Sequence, residues 1–299
     1  MKFSFPQYLL SKQSVDDRAL NRTVLEALRA SLPGAPLNVV EVGAGIGSML
    51  KRLLRWGILP APVDYILVDE MAENIVFARR WLAEWAGQNG YTVEKSRGGE
   101  LRLSAPAGLL QAHFMQADVF DYGRSGAAPA DLLIAHAFLD LLPLPGSLPK
   151  LFALVKPGGL AWLTINFDGM TTFEPALDPR LDAQIEQLFH RTMDERITNG
   201  VRSGDSRTGR HLFGYLADAG ATLLRAGASD WLVYPQQGRY PADEAEFLRF
   251  ILHFFETSLA GHPELDQAQF ASWLATRRSQ VDEGKLIYIA HQLDFLGRV

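Results

Sequence analysis

A glycine-rich segment is the part of the sequence whose residue types and spacing most clearly suggest chemistry. Glycines stand at positions 43, 45 and 47, after an apolar β-branched run and before a helical pattern. Glycine lets the backbone turn sharply and approach a ligand, and the N-terminus of the next helix offers unpaired N–H groups to an anion. The dinucleotide fingerprint has glycine or alanine three positions after its second glycine, but this chain has Ser48 there and Glu41 two residues before the first glycine. The segment predicts a cofactor-binding turn, with NAD and FAD among the alternatives.

The composition limits where the remaining chemistry can come from. The chain has no cysteine, which excludes disulfides, thiolate nucleophiles and cysteine-based zinc sites. Hydrophobic residues make up 47% and charged residues 21% of the 299 positions, a globular composition. The net charge of −5 makes nucleic acid a poor first candidate for a partner. Because Lys12 interrupts the start and no apolar run reaches about 20 residues, we expect a cytoplasmic protein without a membrane segment.

Short β-branched runs alternate with helical periods, which predicts βαβ units around a mostly parallel sheet. Residues 72–88 predict a helix with one apolar face, residues 15–32 predict an amphipathic N-terminal helix, and residues 92–103 predict a hairpin around a Gly-Gly turn. The predicted strands of the first half are residues 38–43, 65–68, 112–115, 131–135 and 160–165.

The second half adds a polar stretch and a helical region to the same pattern. Residues 169–207 are punctuated by proline and glycine around one predicted helix at 182–192, where a lid could sit. Aromatic and apolar residues from Phe247 to Phe255 have the spacing of a helix that faces a core. A last strand is predicted at 286–291, and no internal repeat is present.

Four segments in order resemble the class I S-adenosylmethionine-dependent methyltransferases. The first motif of that family is an acidic residue followed by spaced glycines, as in residues 41–47. An acidic residue ends the second strand, here Asp69, and another follows the third strand, here Asp118. A Lys-Pro-Gly-Gly segment at 156–159 precedes the fifth strand. The resemblance covers residues 38–167 and implies an α/β fold with a doubly wound, seven-stranded, mostly parallel sheet, Rossmann-like, with helical cap insertions.

The resemblance also implies a cofactor, S-adenosyl-L-methionine, with S-adenosyl-L-homocysteine as product. Gly43, Gly45 and Gly47 would give room for the methionine and ribose parts. Glu41 would fix the loop or accept a hydrogen bond from the ammonium group. Arg18 in the N-terminal helix could pair with the methionine carboxylate through two parallel hydrogen bonds.

Four further residues are assigned to the adenosine by the same resemblance. Asp69 would accept both ribose hydroxyls, since a carboxylate has two acceptor oxygens. Asp118 would accept from the adenine amino group, the Val119 N–H would meet a ring nitrogen, and Met71 would pack on the adenine face. The alternative for either aspartate is a helix cap or a loop carboxylate.

Methyl transfer depends mainly on alignment, so a base is needed only where the acceptor must lose a proton. His136, at the end of the fourth strand, is the best candidate base because imidazole titrates near neutral pH, and it could also contact the cofactor. His211 and His291 are weaker candidates, since each may be expected to be structural. No magnesium-binding set of aspartates and asparagine is found, so no metal is implied.

We therefore expect methyl transfer to an oxygen or nitrogen of a small molecule, with the oligomeric state undetermined. The alternatives are a catalytically silent S-adenosylmethionine-binding or regulatory protein and a NAD-dependent oxidoreductase. The expected organisation is one domain over residues 1–299: an N-terminal helical lid at 1–36, a cofactor-binding core at 37–168, a lid insertion at 169–206, and a C-terminal part at 207–299 with a helical insertion at 241–284.

Overall fold

The computed structural model describes residues 4–96, 98–106, 108–198 and 200–299. The first three residues of the predicted N-terminal lid and Arg97 in the predicted hairpin lie outside the described residues. Within these ranges a short 3-10 helix covers Leu139–Leu141, and the α-helices are α1 Phe5–Ser11, α2 Gln13–Ala19, α3 Arg22–Ser31, α4 Ser48–Arg55, α5 Ala72–Gln88, α6 Val119–Arg124, α7 Leu148–Phe152, α8 Pro179–Asp194, α9 Thr208–Asp218, α10 Glu244–Leu259 and α11 Gln267–Asp282.

The strands of the described ranges form one large mixed sheet and one two-stranded ribbon, β8 with β9. The order in the large sheet is β10-β12-β7-β6-β1-β2-β5-β4-β3, and β11 pairs with β12. The bounds are β1 Leu37–Val42, β2 Val63–Asp69, β3 Thr92–Lys95, β4 Leu101–Ala105, β5 Gly108–Gln116, β6 Ala130–His136, β7 Val155–Glu174, β8 Ile197–Thr198, β9 Val201–Arg202, β10 Thr222–Ala228, β11 Trp231–Val233 and β12 Ile287–Arg298.

The strands β5, β2, β1, β6 and β7 are parallel neighbours, and β12 and β10 complete the predicted seven strands in antiparallel pairing. The predicted hairpin is β3 with β4, which extends the sheet beyond β5. Parallel strands bring their carboxyl ends to one edge of a sheet, where open α/β sheets bind ligands. That edge carries Glu41, Asp69, the turn to Asp118 and His136.

Two apolar layers cover the sheet. Helices α3, α4, α5, α10 and α11 cover one face, and α6, α7 and α9 cover the other. Alternate β6 residues divide between the faces: Leu132 and Ile134 pack under the first layer, and Leu133 and Ala135 under the second. The predicted apolar face of α10 is core packing, since Phe247 and Phe255 are fully buried.

Two predicted elements differ from the structure. The helix predicted over residues 15–32 is broken into α2 and α3 because the Asn21 side chain caps α3, accepting from the Val24 N–H at 3.1 Å. The strand predicted to end at residue 165 continues to Glu174, because its later residues pair with β12. The polar insertion therefore begins inside the sheet and leaves it only after Glu174.

Candidate functional site

The glycine turn between β1 and α4 has three left-handed residues. The φ angles are +61° at Gly43, +55° at Gly45 and +76° at Gly47, which L side chains rarely adopt. A Cβ on Gly43 would lie 2.3 Å from the Phe138 ring, and a Cβ on Gly45 would lie 2.7 Å from Leu9 Cδ1. Glycine is thus required both for the turn and for the close approach of Phe138 and of α1.

Asp69, at the end of β2, holds this turn in place. Its Oδ2 accepts the Gly45 N–H at 2.8 Å, and its Oδ1 accepts the Met71 N–H at 2.9 Å and Asn74 Nδ2 at 3.1 Å. The carboxylate is 8% exposed. The structure therefore brings together two of the predicted cofactor-binding segments, the glycine turn and the end of β2.

Glu41 lies beneath the turn, inside the core. The residue is 2% exposed, and Tyr65 donates its hydroxyl to Glu41 Oε2 at 2.7 Å. Burial raises the pKa of Glu41 to about 8, although the Tyr65 hydrogen bond opposes the shift. Glu41 is consequently protonated at neutral pH.

The segment after β5 adjoins Asp69, because the Ala117 N–H donates to the Asp69 carbonyl at 3.1 Å. Asp118 is exposed and caps α6, accepting the N–H groups of Phe120 at 2.8 Å and Asp121 at 3.2 Å. Val119 is the buried first residue of that helix, and Met71 is the half-buried N-cap of α5. The predicted adenine-binding residues thus follow neighbouring strands, and Asp118 has the helix-cap role that was the alternative.

His136 ends β6 with both ring nitrogens engaged. Nε2 lies 3.0 Å from Asp16 Oδ2, and Nδ1 lies 2.8 Å from Thr164 Oγ1. A carboxylate only accepts, and Asp16 Oδ2 is nearer to Nε2 than Arg52 Nη1, which lies 3.3 Å away, so we assign the proton to Nε2 and let Nδ1 accept from the Thr164 hydroxyl. Burial lowers the pKa of His136 to about 4, with Arg52 and Lys12 adding to the shift and Asp16 opposing it. The imidazole is therefore neutral at physiological pH.

Asp16 is the centre of a buried polar cluster that the sequence analysis did not find. This side chain is fully buried. Its Oδ2 lies 3.4 Å from Lys12 Nζ and 3.2 Å from Arg52 Nη2, and its Oδ1 accepts from Trp231 Nε1 at 2.9 Å. Burial favours the neutral acid, but Lys12, His136 and Arg52 outweigh it and hold the pKa of Asp16 well below its usual range. The cluster joins α2 to α4, β6 and β11.

Arg18 meets a carboxylate of the protein itself. Its Nη1 donates to Glu244 Oε1, and its Nη2 donates to Glu244 Oε2 at 2.9 Å and to the Leu232 carbonyl at 3.3 Å. Glu244 is fully buried, whereas the Arg18 side chain is 43% exposed. The carboxylate that Arg18 pairs with is therefore Glu244, the first residue of α10, whereas the sequence analysis expected the methionine carboxylate of the cofactor.

His211 and His291 stand apart from His136. His211, at the exposed start of α9, lies 2.5 Å through Nδ1 from Asp205 Oδ2. His291 Nδ1 lies 2.7 Å from Asp230 Oδ1, and its Nε2 lies 3.6 Å from Asp168 Oδ2. Each imidazole is therefore paired with carboxylates of neighbouring segments, and no contact joins either of them to the glycine turn in the described part of the chain.

A cleft of about 400 Å³ opens beside the extension of β7. One wall is the β7 segment from Gly169, the other is α8, and Ser206 and Arg207 close one end. Burial raises the pKa of Glu186, on the α8 wall, to about 7. The sequence predicted an insertion here but not the side chains that face the cleft, because the spacing that places them depends on where α8 packs.

No family model matches the chain, and no curated protein matches its sequence. Among solved structures, a candidate methyltransferase from Bacillus halodurans C-125 is 12% identical with a TM-score of 0.50, and the alignment covers 92% of this chain and 98% of that chain. An S-adenosylmethionine-dependent methyltransferase from Thiobacillus denitrificans, in complex with S-adenosyl-L-homocysteine, is 14% identical over 99% of each chain, with a TM-score of 0.49. The likeness to the first structure shows that this chain has the Rossmann-like methyltransferase fold. None of the helices that the structure describes has the length and apolarity to cross a membrane.

Proposed function

We propose that the protein transfers a methyl group from S-adenosylmethionine to an oxygen or nitrogen of a small-molecule acceptor. The observation that carries this proposal is the glycine turn, whose second glycine is tied by its N–H to Asp69 at the end of the next strand. Three left-handed glycines after β1 and a carboxylate after β2 suit a ligand that has both a compact charged end and a ribose. The cytoplasm is the proposed location.

The residues at this edge fit such a cofactor in donor chemistry, and Phe138 and Leu9, which pack against the glycines, have to move aside for it. Gly43, Gly45 and Gly47 keep Cβ atoms away from the turn, and Asp69 has acceptor oxygens for ribose hydroxyls. Asp118 caps α6 through one oxygen, Oδ1, which leaves Oδ2 for the adenine amino group. The bound cofactor supplies a methyl group on a positively charged sulfur. Leu9 packs against Gly45, so we propose that α1 shifts when the cofactor enters.

His136 is our candidate for accepting a proton during methyl transfer. Its hydrogen bond to Thr164 determines when it can do so. The neutral imidazole has its acceptor nitrogen, Nδ1, facing the Thr164 hydroxyl at 2.8 Å. Accepting a proton from the acceptor molecule requires this hydrogen bond to be exchanged. His211 and His291 are proposed only as secondary candidates, because His136 ends β6, the neighbour of β1, whereas His211 lies on α9 and His291 lies within β12.

Isothermal titration tests the cofactor. We expect S-adenosyl-L-homocysteine to bind and NAD not to bind, and we expect Asp69→Ala to weaken binding at least about tenfold, because the acceptor for the ribose and for the Gly45 N–H is lost together. Glu70→Ala, one residue along and exposed, is the matched control. Binding of NAD in place of S-adenosyl-L-homocysteine would select the oxidoreductase alternative.

A cofactor-binding protein without catalysis is the second candidate. It is favoured by the internal pairing of the polar groups near the turn: His136 with Asp16 and Thr164, and Arg18 with Glu244. A screen of hydroxyl- and amine-bearing acceptors with radiolabelled cofactor separates the two functions. Cofactor binding without a methylated product across the screen would support the silent protein.

A further inference from the structure

The cleft between β7 and α8 lies along the part of β7 that follows its pairing with β6. Its wall begins at Gly169, directly after the buried Asp168. The Gly204 N–H donates to the Leu142 carbonyl at 3.3 Å, which ties the loop before Ser206 to the segment after β6. The Phe167 ring lies 5.3 Å from the His190 ring on the opposite wall. A ligand in the cleft therefore lies between the extension of β7 and α8, and the loop that closes the cleft is tied to the segment after β6.

The charges that line the cleft are unequally available to a ligand. Arg191 pairs with Glu264. The Asp194 carboxylate accepts the Ser206 N–H at 2.7 Å and the Ser206 hydroxyl at 3.1 Å. Arg207 is exposed at the cleft, and its guanidinium forms no ion pair with any residue that the structure describes. Arg207 is thus the cationic side chain of the cleft lining that is available to pair with a ligand.

Two further groups face the same space from α8. Glu186 and His190 are four residues apart, so they lie on one face of the helix, and both line the cleft. His190 Nε2 is buried and has no hydrogen-bond partner among the described residues. Burial raises the pKa of Glu186 to about 7 and lowers that of His190. Neither side chain therefore carries a full charge at neutral pH, and both can form hydrogen bonds with a ligand.

We infer that this cleft binds a small carboxylic acid that also carries a hydroxyl group. The guanidinium of Arg207 pairs with the carboxylate, since arginine presents two parallel donors to its two oxygens. Glu186 and His190 hold the hydroxyl at the other end. The inference rests on the proposed function in one respect: it makes this acid the methyl acceptor.

Three probes of one shape test the inference: para-hydroxybenzoate, para-hydroxybenzamide and para-hydroxybenzylamine, which differ only in the charge at one end. Binding is measured by isothermal titration on the full chain without cofactor. We expect the acid to bind best and Arg207→Gln to weaken its binding about tenfold or more, with the amide unaffected. Arg180→Gln, an exposed arginine on α8 outside the cleft, is the control. Glu186→Gln should weaken the acid and the amide alike, because both contain the hydroxyl.

The outcomes separate this inference from the proposed function. Equal or tighter binding of the amide or the amine, no binding of the acid, or an unchanged affinity in Arg207→Gln overturns the inference. Failure of S-adenosyl-L-homocysteine to bind overturns the methyltransferase but leaves an Arg207-dependent acid site standing. Where both ligands bind, methylation of the acid that is lost in Arg207→Gln supports both.

Discussion

Glu41 shows how burial can change the role of a single carboxyl group. In the resemblance to methyltransferases this position is the acidic residue of the first motif. Here the side chain is 2% exposed and bonded to Tyr65, and its pKa is raised to about 8 by burial. The neutral acid is a poor partner for an ammonium group. We therefore propose the other expected role for Glu41, which is to fix the loop.

The stability of the protein should depend on pH through Glu41. Between pH 4.5 and 8 the unfolded carboxyl has lost its proton while the folded one retains it, so the free energy of unfolding falls by about 1.4 kcal/mol per pH unit from this group. Glu41→Gln cannot titrate, so its stability relative to the wild type should rise across that window. Urea denaturation at several pH values measures the difference.

The exposed Glu94 provides the control for this measurement. Glu94→Gln should run parallel to the wild type across the same pH range. A constant difference between Glu41→Gln and the wild type would mean that the carboxyl ionises inside the fold.

For single residues, the sequence predicted the position relative to a strand better than the contact partner of the side chain. The sequence placed Asp69 and the glycines correctly after their strands, because the strand pattern is local. The pairing of Arg18 with Glu244 was not predictable, because 226 positions separate them and only the packing of α2 on α10 brings them together. The buried contacts of Asp16 with Arg52 and His136 were not predictable for the same reason.

Helix α2 is held in place by one buried carboxylate. Asp16 contacts Lys12 within the N-terminal segment, Arg52 on α4 and His136 on β6. Lys12 and Arg52 are 5% and 3% exposed, so two buried cations depend on this carboxylate and on Asp17. Buried ion pairs are costly to break from one side, because the remaining charge loses its partner.

Replacement of this carboxylate should therefore destabilise the protein strongly. We expect Asp16→Asn to lower the free energy of unfolding by about 3–5 kcal/mol, the range for a buried pair that loses one partner. Asp17→Asn removes the partner of Arg55 and a second partner of Arg52 at a site that is 21% exposed, and it should cost about 1 kcal/mol. Chemical denaturation measures both. Equal losses of unfolding free energy in the two variants would show that the burial of Asp16 does not increase the cost of removing its charge.

Helices and strands with strong hydrophobic periodicity were predicted well, but the residues at which they begin and end were not. The hairpin, α5 and the parallel strands follow from local patterns. The break between α2 and α3 follows from a long-range contact, because the Asn21 N–H donates to Asp294 Oδ2 at 2.8 Å while the Asn21 side chain caps α3. The extension of β7 to Glu174 likewise depends on its pairing with β12.

Across the chain as a whole, the N-terminal segment contacts both α10 and the glycine turn. Tyr8 of α1 stacks on Phe247 at 6.2 Å and meets Phe254 edge-on at 5.0 Å. Leu9, the next residue, packs against Gly45 of the turn. The N-terminal segment therefore connects the helical insertion to the glycine turn, so access to the turn depends on a contact between distant parts of the chain.

This arrangement predicts that a smaller side chain at position 9 improves cofactor binding. A ligand at the turn has to take the place of Leu9, so its apparent affinity is reduced by the fraction of molecules in which α1 is closed. We expect Leu9→Ala to tighten S-adenosyl-L-homocysteine binding about tenfold, since Leu9 is half-buried and its truncation removes about 1.4 kcal/mol of apolar contact from the closed form. Leu10→Ala, of equal size on the same helix, should leave the affinity unchanged. Isothermal titration of the wild type and the two variants measures whether the affinity rises or falls. Weaker binding in Leu9→Ala would mean that Leu9 closes over the bound cofactor and contributes to its affinity.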